Sequence, residues 1–528
     1  MDLLLHNARI HSFQEGFSPG QADAMVVRGD RILAVGRKEE LLPLTGPQTQ
    51  VVDVNGRVIL PGFHDTHIHI WKVGNLRTYM LDVRTTTSLD EMLSLLADYH
   101  HRYPEATWIT ARGFNEAAWK EGRMPTREDL DKAVKNKPVY IIRTCAHIAV
   151  ANTKALETAG ITPYTPAPAG GVIYKDEKGR PNGLFSETAL GLITKHIPPY
   201  SKEELKTMVR AAREELYRVG ITAATDPAVD PVLLEAYREM EAAGELGFRL
   251  QAIPILLPDG GSQPFPLPDR YHSDFLTVDT VKFFSDGGLS GQTAALKRTY
   301  KHSKEQGVLR LRAKSWLAMC RDVQEKGWGI ATHAIGDAAI ELVIGVYRSL
   351  SGSFPTARRR IEHLGLPEEQ HLRDMAELQI GTSMQTIFLH ELGKNFINYL
   401  DEDYLRRCYP VRSVLQHGIL TALSSDAPVV KEINPFQGMQ TAITRQTRDG
   451  QAIAPEEAIS IQQALKAYTV SAAELSGLPR SGTLQPGNYA DFIIPDRDPL
   501  TITAGALKDI RIEQTYIGGR CVWSSHKA

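Results

Sequence analysis

Between residues 59 and 426 the chain repeats one pattern eight times: a short apolar run that ends in polar residues. Helical stretches such as 201–219 and 337–350 separate most of these runs. Alternating strands and helices are typical of a parallel sheet, and eight such units favour an α/β protein with a (β/α)8 TIM barrel. In that fold the site residues follow the strand ends. The eight runs are 59–70, 220–226, 248–256, 280–286, 328–333, 359–363, 380–385 and 419–426.

The two chain ends carry short β-type runs separated by turns instead of helices. These runs are 2–10, 24–36, 50–60, 489–494 and 514–523. We predict one small β-sandwich-like domain made from residues 1–58 and 480–528, with the barrel at 59–479.

One connection is too long for a simple barrel. About 150 residues, roughly 72–218, separate the first predicted strand from the second, and they contain a predicted helix at 88–103 and a strand at 138–143. We predict an insertion subdomain over the barrel mouth that can supply substrate contacts.

Composition narrows the function classes. Hydrophobic residues make up 42% of the 528-residue chain, as in ordinary globular proteins. The formal net charge is −2, so the sequence lacks the net positive charge typical of proteins that bind nucleic acid or anionic membranes. The four cysteines form no CxxC pair, and no apolar stretch approaches the ~18 residues of a membrane helix. The expected protein is soluble, cytoplasmic and directed at a small-molecule substrate.

The strongest local motif is His67-Ile68-His69, at the end of the first run. Residues i and i+2 of a strand point to the same side, so the two imidazoles project together. Nitrogen ligands converging in this way suit a divalent metal ion.

Lys282 lies among apolar residues at the end of the fourth run. Burial of an ammonium group is costly, and neighbouring cations push an amine towards its neutral form. A neutral lysine amine can add carbon dioxide to become a carbamate, whose oxygens can bridge two metal ions.

Three further candidates follow later runs: His333 after the fifth, His363 after the sixth and Asp426 after the eighth. Each is individually a weak signal, but equivalent places on successive strands make a shared site the better explanation. A bound metal lowers the pKa of water from about 15.7 to about 7, so a carboxylate such as Asp426 suffices as the base.

With these motifs the sequence resembles the amidohydrolase superfamily, and within it the YtcJ-like branch that includes N-substituted formamide deformylases. The resemblance covers nearly the whole chain, through PGFHDTHIH, GGVIYKDEKGRPNGLFSETA, VKFFSDGGLSGQTAAL, HAIGD, IEHL, SSDAPV and GTLQPGNYADFIIPD.

The resemblance implies that His67, His69, His333 and His363 bind one or two divalent metal ions, with zinc as the leading candidate. It also implies a carboxylated Lys282 as bridging ligand and Asp426 as ligand and general base. A metal-activated hydroxide would then attack a non-peptide carbon–nitrogen bond of an amide, formamide or cyclic amide. A homodimer agrees with the resemblance, although no interface can be read from the sequence.

Two further residues are predicted on the substrate side. His147 follows Cys145-Ala146, where the branch usually has Asp-Gly, and this departure bears on the identity of the substrate. Gln385 ends the seventh run and can face the substrate.

Two alternatives remain open. A heterocyclic-base deaminase of the same superfamily usually has a Glu shortly after the fifth-strand His, whereas here His333 is followed by Ala-Ile-Gly-Asp. A non-catalytic scaffold on a relic barrel would generally lose metal ligands, whereas every ligand position is filled here.

Overall fold

The structure, a computed structural model, describes residues 2–17, 20–116, 119–144, 148–168, 171–258 and 263–525. It divides into two compact units: Met1–Ile70 together with Arg213–Ala528, and Trp71–Ala212. Both chain ends fall in the same unit as the predicted barrel strands.

The strands are β1 Leu3–His6, β2 Arg9–Ile10, β3 Ala24–Arg28, β4 Arg31–Gly36, β5 Gln50–Asp53, β6 Val58–Pro61, β7 Phe63–Asp65, β8 Leu81–Asp82, β9 Ile109–Phe114, β10 Val139–Arg143, β11 Ile148–Ala151, β12 Gly171–Lys175, β13 Pro181–Glu187, β14 Ile221–Val229, β15 Arg249–Pro254, β16 Tyr271–His272, β17 Leu276–Val278, β18 Thr280–Phe284, β19 Gly329–Ala334, β20 Arg359–His363, β21 Gly381–Met384, β22 Thr421–Leu423, β23 Phe492–Pro495, β24 Ile512–Ile517 and β25 Arg520–Ser524.

The α-helices are α1 Lys38–Leu41, α2 Ile70–Asn75, α3 Leu89–Arg102, α4 Arg127–Ala133, α5 Thr153–Thr158, α6 Gly191–Thr194, α7 Lys202–Arg218, α8 Pro231–Ala242, α9 Ala313–Glu325, α10 Asp337–Ser351, α11 Glu369–Glu377, α12 Ile387–Tyr399, α13 Glu402–Arg406, α14 Val411–Gln416, α15 Pro435–Thr444, α16 Ile461–Ala467 and α17 Val470–Leu475.

All eight predicted runs contain a strand. The strands with parallel pairing are β7, β14, β15, β18, β19, β20, β21 and β22, whereas β6, also in the first run, is antiparallel to β23. One sheet has the order β16-β17-β15-β14-β7, and a second has the order β18-β19-β20-β21-β22. An isolated parallel bridge between Ile255 and Lys282 joins the two sheets on one side. On the other side, the amide of Asp426 donates to the carbonyl of His67 at 2.7 Å, which brings the loop after β22 to the loop after β7.

The first predicted run is divided into two strands with different partners. β6 pairs with β23 and β2, whereas β7 pairs with β14. Gly62 lies between them, and a Cβ there would come within 2.1 Å of Thr222 Oγ1. The close approach of β14 therefore requires glycine at the point where the chain passes from one sheet to the other.

Strands from both chain ends form one sheet, in the order β2-β6-β23-β24-β25. The N-terminal strands alone form another, in the order β4-β3-β1-β5. One hydrophobic cluster contains residues from both ends, including Leu5, Ile59, Phe492 and Ile494. Strands and buried side chains from the two chain ends thus lie together, while a separate small domain made of 1–58 and 480–528 stays a prediction.

The unit Trp71–Ala212 has its own six-stranded sheet, in the order β12-β13-β11-β10-β9-β8. The predicted helix is α3, which begins after Ser88, whose side chain accepts from the amide of Glu91. The predicted strand is β10.

Within the described ranges, every helix is too short or too polar to traverse a lipid bilayer.

Candidate metal centre

Three predicted ligands lie together at the ends of β7 and β22. Asp426 Oδ1 is 3.3 Å from His69 Nε2 and 3.6 Å from His67 Nε2. One ligand atom from each residue lies within 4.8 Å of the others. β7 ends at Asp65, so the two histidines follow the strand instead of lying on it, and their rings are 5.8 Å apart.

The histidines of β19 and β20 continue this cluster. The His363 ring is 4.7 Å from the His67 ring and 4.4 Å from the His333 ring. Burial lowers the pKa of His67 to about 4, and burial together with the neighbouring His333 lowers the pKa of His363 well below its usual range. Neutral imidazoles are the form that binds metal ions.

Lys282 is fully buried on β18, and among the described residues its Nζ has no hydrogen-bond partner. The Nζ atom lies 4.8 Å from the centre of the Phe284 ring. Burial lowers the pKa of Lys282 to about 8, although Glu362 and Asp426 favour the charged form. A substantial neutral fraction near pH 8 makes this amine chemically suited to react with carbon dioxide.

Two of the candidate ligands have left-handed backbone conformations: φ is 75° at His363 and 56° at Asp426. Such a conformation is costly for a residue other than glycine and is typical of functional sites. At Asp426 the hydrogen bond to the His67 carbonyl holds the strained backbone in place.

The sequence reasoning missed Glu362 and Arg360, which lie behind His67. Glu362 is fully buried and accepts hydrogen bonds from His67 Nδ1 and from the Arg360 guanidinium. Burial alone would raise the pKa of Glu362, but Arg360 and His67 hold it below its usual range. The available signal was a pair of opposite charges at i and i+2 within one of the predicted barrel strands.

Gln385 lies behind His363. Its Oε1 is 2.6 Å from His363 Nδ1, and its Nε2 donates to Ser424 Oγ at 2.8 Å. The side chain is fully buried, so this position gives no support to the predicted substrate contact. The other predicted substrate-side residue, His147, lies outside the described residues.

Carboxylates accompany the remaining two histidines. Asp286 Oδ1 is 3.3 Å from His333 Nε2, which also contacts the carbonyl of Gly287 at 3.1 Å. Asp226 Oδ1 is 3.8 Å from His69 Nδ1, and Asp226 Oδ2 accepts from Tyr237 Oη at 2.5 Å. Acidic groups behind imidazole ligands are a common feature of metal sites.

The donor set fits a divalent ion. It contains four imidazoles, one carboxylate and one buried amine without a hydrogen-bond partner in the described chain. Borderline ions such as zinc favour nitrogen and oxygen donors of this kind.

Comparison with known proteins agrees with this geometry. Residues 50–523 match the profile described as the amidohydrolase family. The chain belongs to the amidohydrolase family. It is therefore an enzyme of the class that hydrolyses carbon–nitrogen bonds other than peptide bonds.

This amidohydrolase is 28% identical to the amidohydrolase YtcJ of Bacillus subtilis, with 99% of each chain covered. It is 29% identical to the N-substituted formamide deformylase of Arthrobacter pascens, over 98% of this chain and 97% of the relative. A crystal structure described as an uncharacterized metal-dependent hydrolase from Pyrococcus horikoshii has a TM-score of 0.79 and 25% identity, over 96% of this chain and 99% of that one. The fold of the amidohydrolase is thus TIM-barrel-like.

Proposed function

We propose that this chain is a metal-dependent hydrolase that cleaves the carbon–nitrogen bond of a small amide, formamide or cyclic amide. The proposal depends most on one observation. Ligand atoms of His67, His69 and Asp426 lie within 4.8 Å of one another, and the His363 ring lies next to the His67 ring. The name of the Arthrobacter pascens relative makes N-substituted formamides the first substrates to try.

The proposed ligands are His67, His69, His333, His363, Asp426 and a carboxylated Lys282, with the eight parallel strands closing into a barrel around them. A divalent ion bound by these residues, zinc in the first instance, would supply Lewis acidity that polarises a carbonyl oxygen and acidifies a water molecule.

Asp426 is the proposed general base. Its carboxylate is 6% exposed and lies against the imidazoles of His67 and His69, so it is in place to move a proton within the site. It would accept a proton from the attacking water and deliver that proton to the leaving nitrogen. This transfer converts a poor amide leaving group into a neutral amine.

Gln385 is better explained as a positioning residue than as a substrate contact, because both ends of its amide are hydrogen-bonded within the protein. The buried amide would hold the His363 ring with Nε2 available to an ion. Second-layer contacts of this kind orient histidine ligands in metal sites.

The test is a hydrolysis screen of zinc-, manganese- and iron-loaded protein across N-formyl, N-acyl, lactam and hydantoin compounds, with heterocyclic bases as the alternative substrates. Asp426→Asn should lower kcat by about 10²–10⁴, since a base that moves a proton in the transition state contributes about that much. The matched control is Asp322→Asn, because Asp322 is an exposed carboxylate paired with Lys326 at 2.9 Å. Full activity in Asp426→Asn, or release of ammonia only from heterocyclic bases, would contradict the proposal.

A further inference from the structure

A buried ion pair lies directly beneath the candidate metal centre. Arg360 and Glu362 are on the same face of β20, and Arg360 Nη2 donates to Glu362 Oε2 at 2.9 Å and to the carbonyl of Thr66 at 2.8 Å. Arg360 is 3% exposed and Glu362 is fully buried. Removal of two charges from water is costly, so this pair needs a reason beyond stability.

The register of the sheet makes room for the arginine. Arg360 is paired with Ala331 on β19 and with Gly381 on β21. Both neighbours are small, so the long side chain has space to reach Glu362. The arginine therefore holds the carboxylate from one side, while His67 contacts it from the other.

The contact with Glu362 determines which nitrogen of His67 carries the proton. An ionised carboxylate can only accept hydrogen bonds, so Nδ1 of His67 must be the donor. In the neutral ring Nε2 then keeps its lone pair. That same Nε2 is the atom 3.6 Å from Asp426 Oδ1, on the side of the proposed ion.

We propose that Glu362 is a positioning residue that holds His67 with Nδ1 protonated and Nε2 directed at the ion, and that its negative charge increases metal affinity. Arg360 holds the Glu362 carboxylate in place through its guanidinium contacts. The inference rests on the proposed metal-dependent function. It differs from the arrangement at His363, where the neutral amide of Gln385 occupies the equivalent position.

A simpler explanation is that Glu362 only neutralises Arg360 in the protein interior. Under both explanations Glu362→Gln lowers stability, because the guanidinium loses its counter-ion. The two differ for the double variant Arg360→Met/Glu362→Gln, which removes the cation as well. If Glu362 only neutralised Arg360, the double variant would regain both stability and metal affinity.

The experiment is calorimetric zinc titration, with the melting temperature measured on the same samples. Glu362→Gln and the double variant should both bind zinc about 10–100-fold more weakly than wild type, the usual effect of removing such a contact. The double variant should nevertheless recover part of the melting temperature. The control is Glu377→Gln, an exposed glutamate paired with Arg348, which should bind zinc as wild type does.

Wild-type zinc affinity in either Glu362 variant would overturn the inference. Neutron diffraction of the wild-type protein tests it without any substitution: a deuteron is expected on His67 Nδ1, and a deuteron on Nε2 instead would overturn it. Failure of the wild-type chain to bind zinc, manganese or iron would refute the proposed function itself, so the two failures are distinguishable.

Discussion

Lys282 combines complete burial with an amine whose pKa lies near 8. If its carbamate bridges the ions, Lys282→Ala removes an oxygen ligand and should lower the bound metal from about two equivalents towards one or none. Metal content by mass spectrometry measures this directly. Lys326→Ala is the control, since Lys326 is exposed and pairs with Asp322. Unchanged stoichiometry in Lys282→Ala would remove the bridging role from this residue.

The pKa of Lys282 also predicts a pH dependence. Only the neutral amine adds carbon dioxide, and its fraction rises as the pH increases through about 8. Reloading of stripped protein with zinc, at a dissolved CO2 concentration held equal at both pH values, should therefore be faster at pH 9 than at pH 7. His67, with a pKa of about 4, is already neutral at pH 7 and at pH 9. Its titration therefore does not contribute to the difference in reloading rate between these two pH values. A flat profile in wild-type protein, or the same slope in Lys282→Gln, would refute this explanation.

At the scale of secondary-structure elements, Asp286 connects the loop after β18 to the loop after β19 by hydrogen bonds. Its carboxylate accepts from the amides of Ala295, Ile335 and Gly336 at 2.8–3.1 Å, which ties the loop after β18 to the loop after β19. Asp286→Asn replaces one acceptor oxygen by a donor that faces backbone N–H groups. We expect the free energy of unfolding to fall by about 2 kcal/mol in urea titration. The exposed Asp322→Asn should change it by less than about 0.5 kcal/mol.

Strand positions could be predicted from the sequence because buried parallel strands are continuous apolar runs, and helices such as α10 follow them with clear amphipathic spacing. The division of the run 59–70 could not be predicted. The division depends on which strands pair with β6 and with β7. Two of those partners, β23 and β14, are more than 150 positions away in the sequence; Thr222, for example, lies against Gly62.

The same limit applies to the site. Histidines and an aspartate at strand ends stand out in a sequence because that place in a barrel is where ligands occur. Glu362 is adjacent in sequence to the predicted ligand His363. Its hydrogen bond, however, is to another predicted ligand, His67, which is nearly 300 residues away. The sequence places Gln385 at a strand end, but the direction of its side chain, towards His363 and Ser424, is a property of the packed sheet.

At the scale of the molecule, the proposed ligands lie on or directly after five strands, β7, β18, β19, β20 and β22. An ion that binds all of them only in the folded state stabilises that state, by about 2.7 kcal/mol at a hundredfold excess over Kd. Removal of metal by a chelator should therefore lower the melting temperature in differential scanning calorimetry, and zinc should restore it. Identical melting curves with and without chelator would contradict a structural contribution from the ion.

The central claim is that residues distant in the sequence meet around a metal ion, and anomalous X-ray diffraction from zinc-loaded crystals tests it most directly. We expect one or two anomalous peaks within about 2.0–2.3 Å of donor atoms from His67, His69, His333, His363 and Asp426, with added density on Lys282 Nζ. No peak at these residues, or full-occupancy peaks only elsewhere on the chain, would contradict the account.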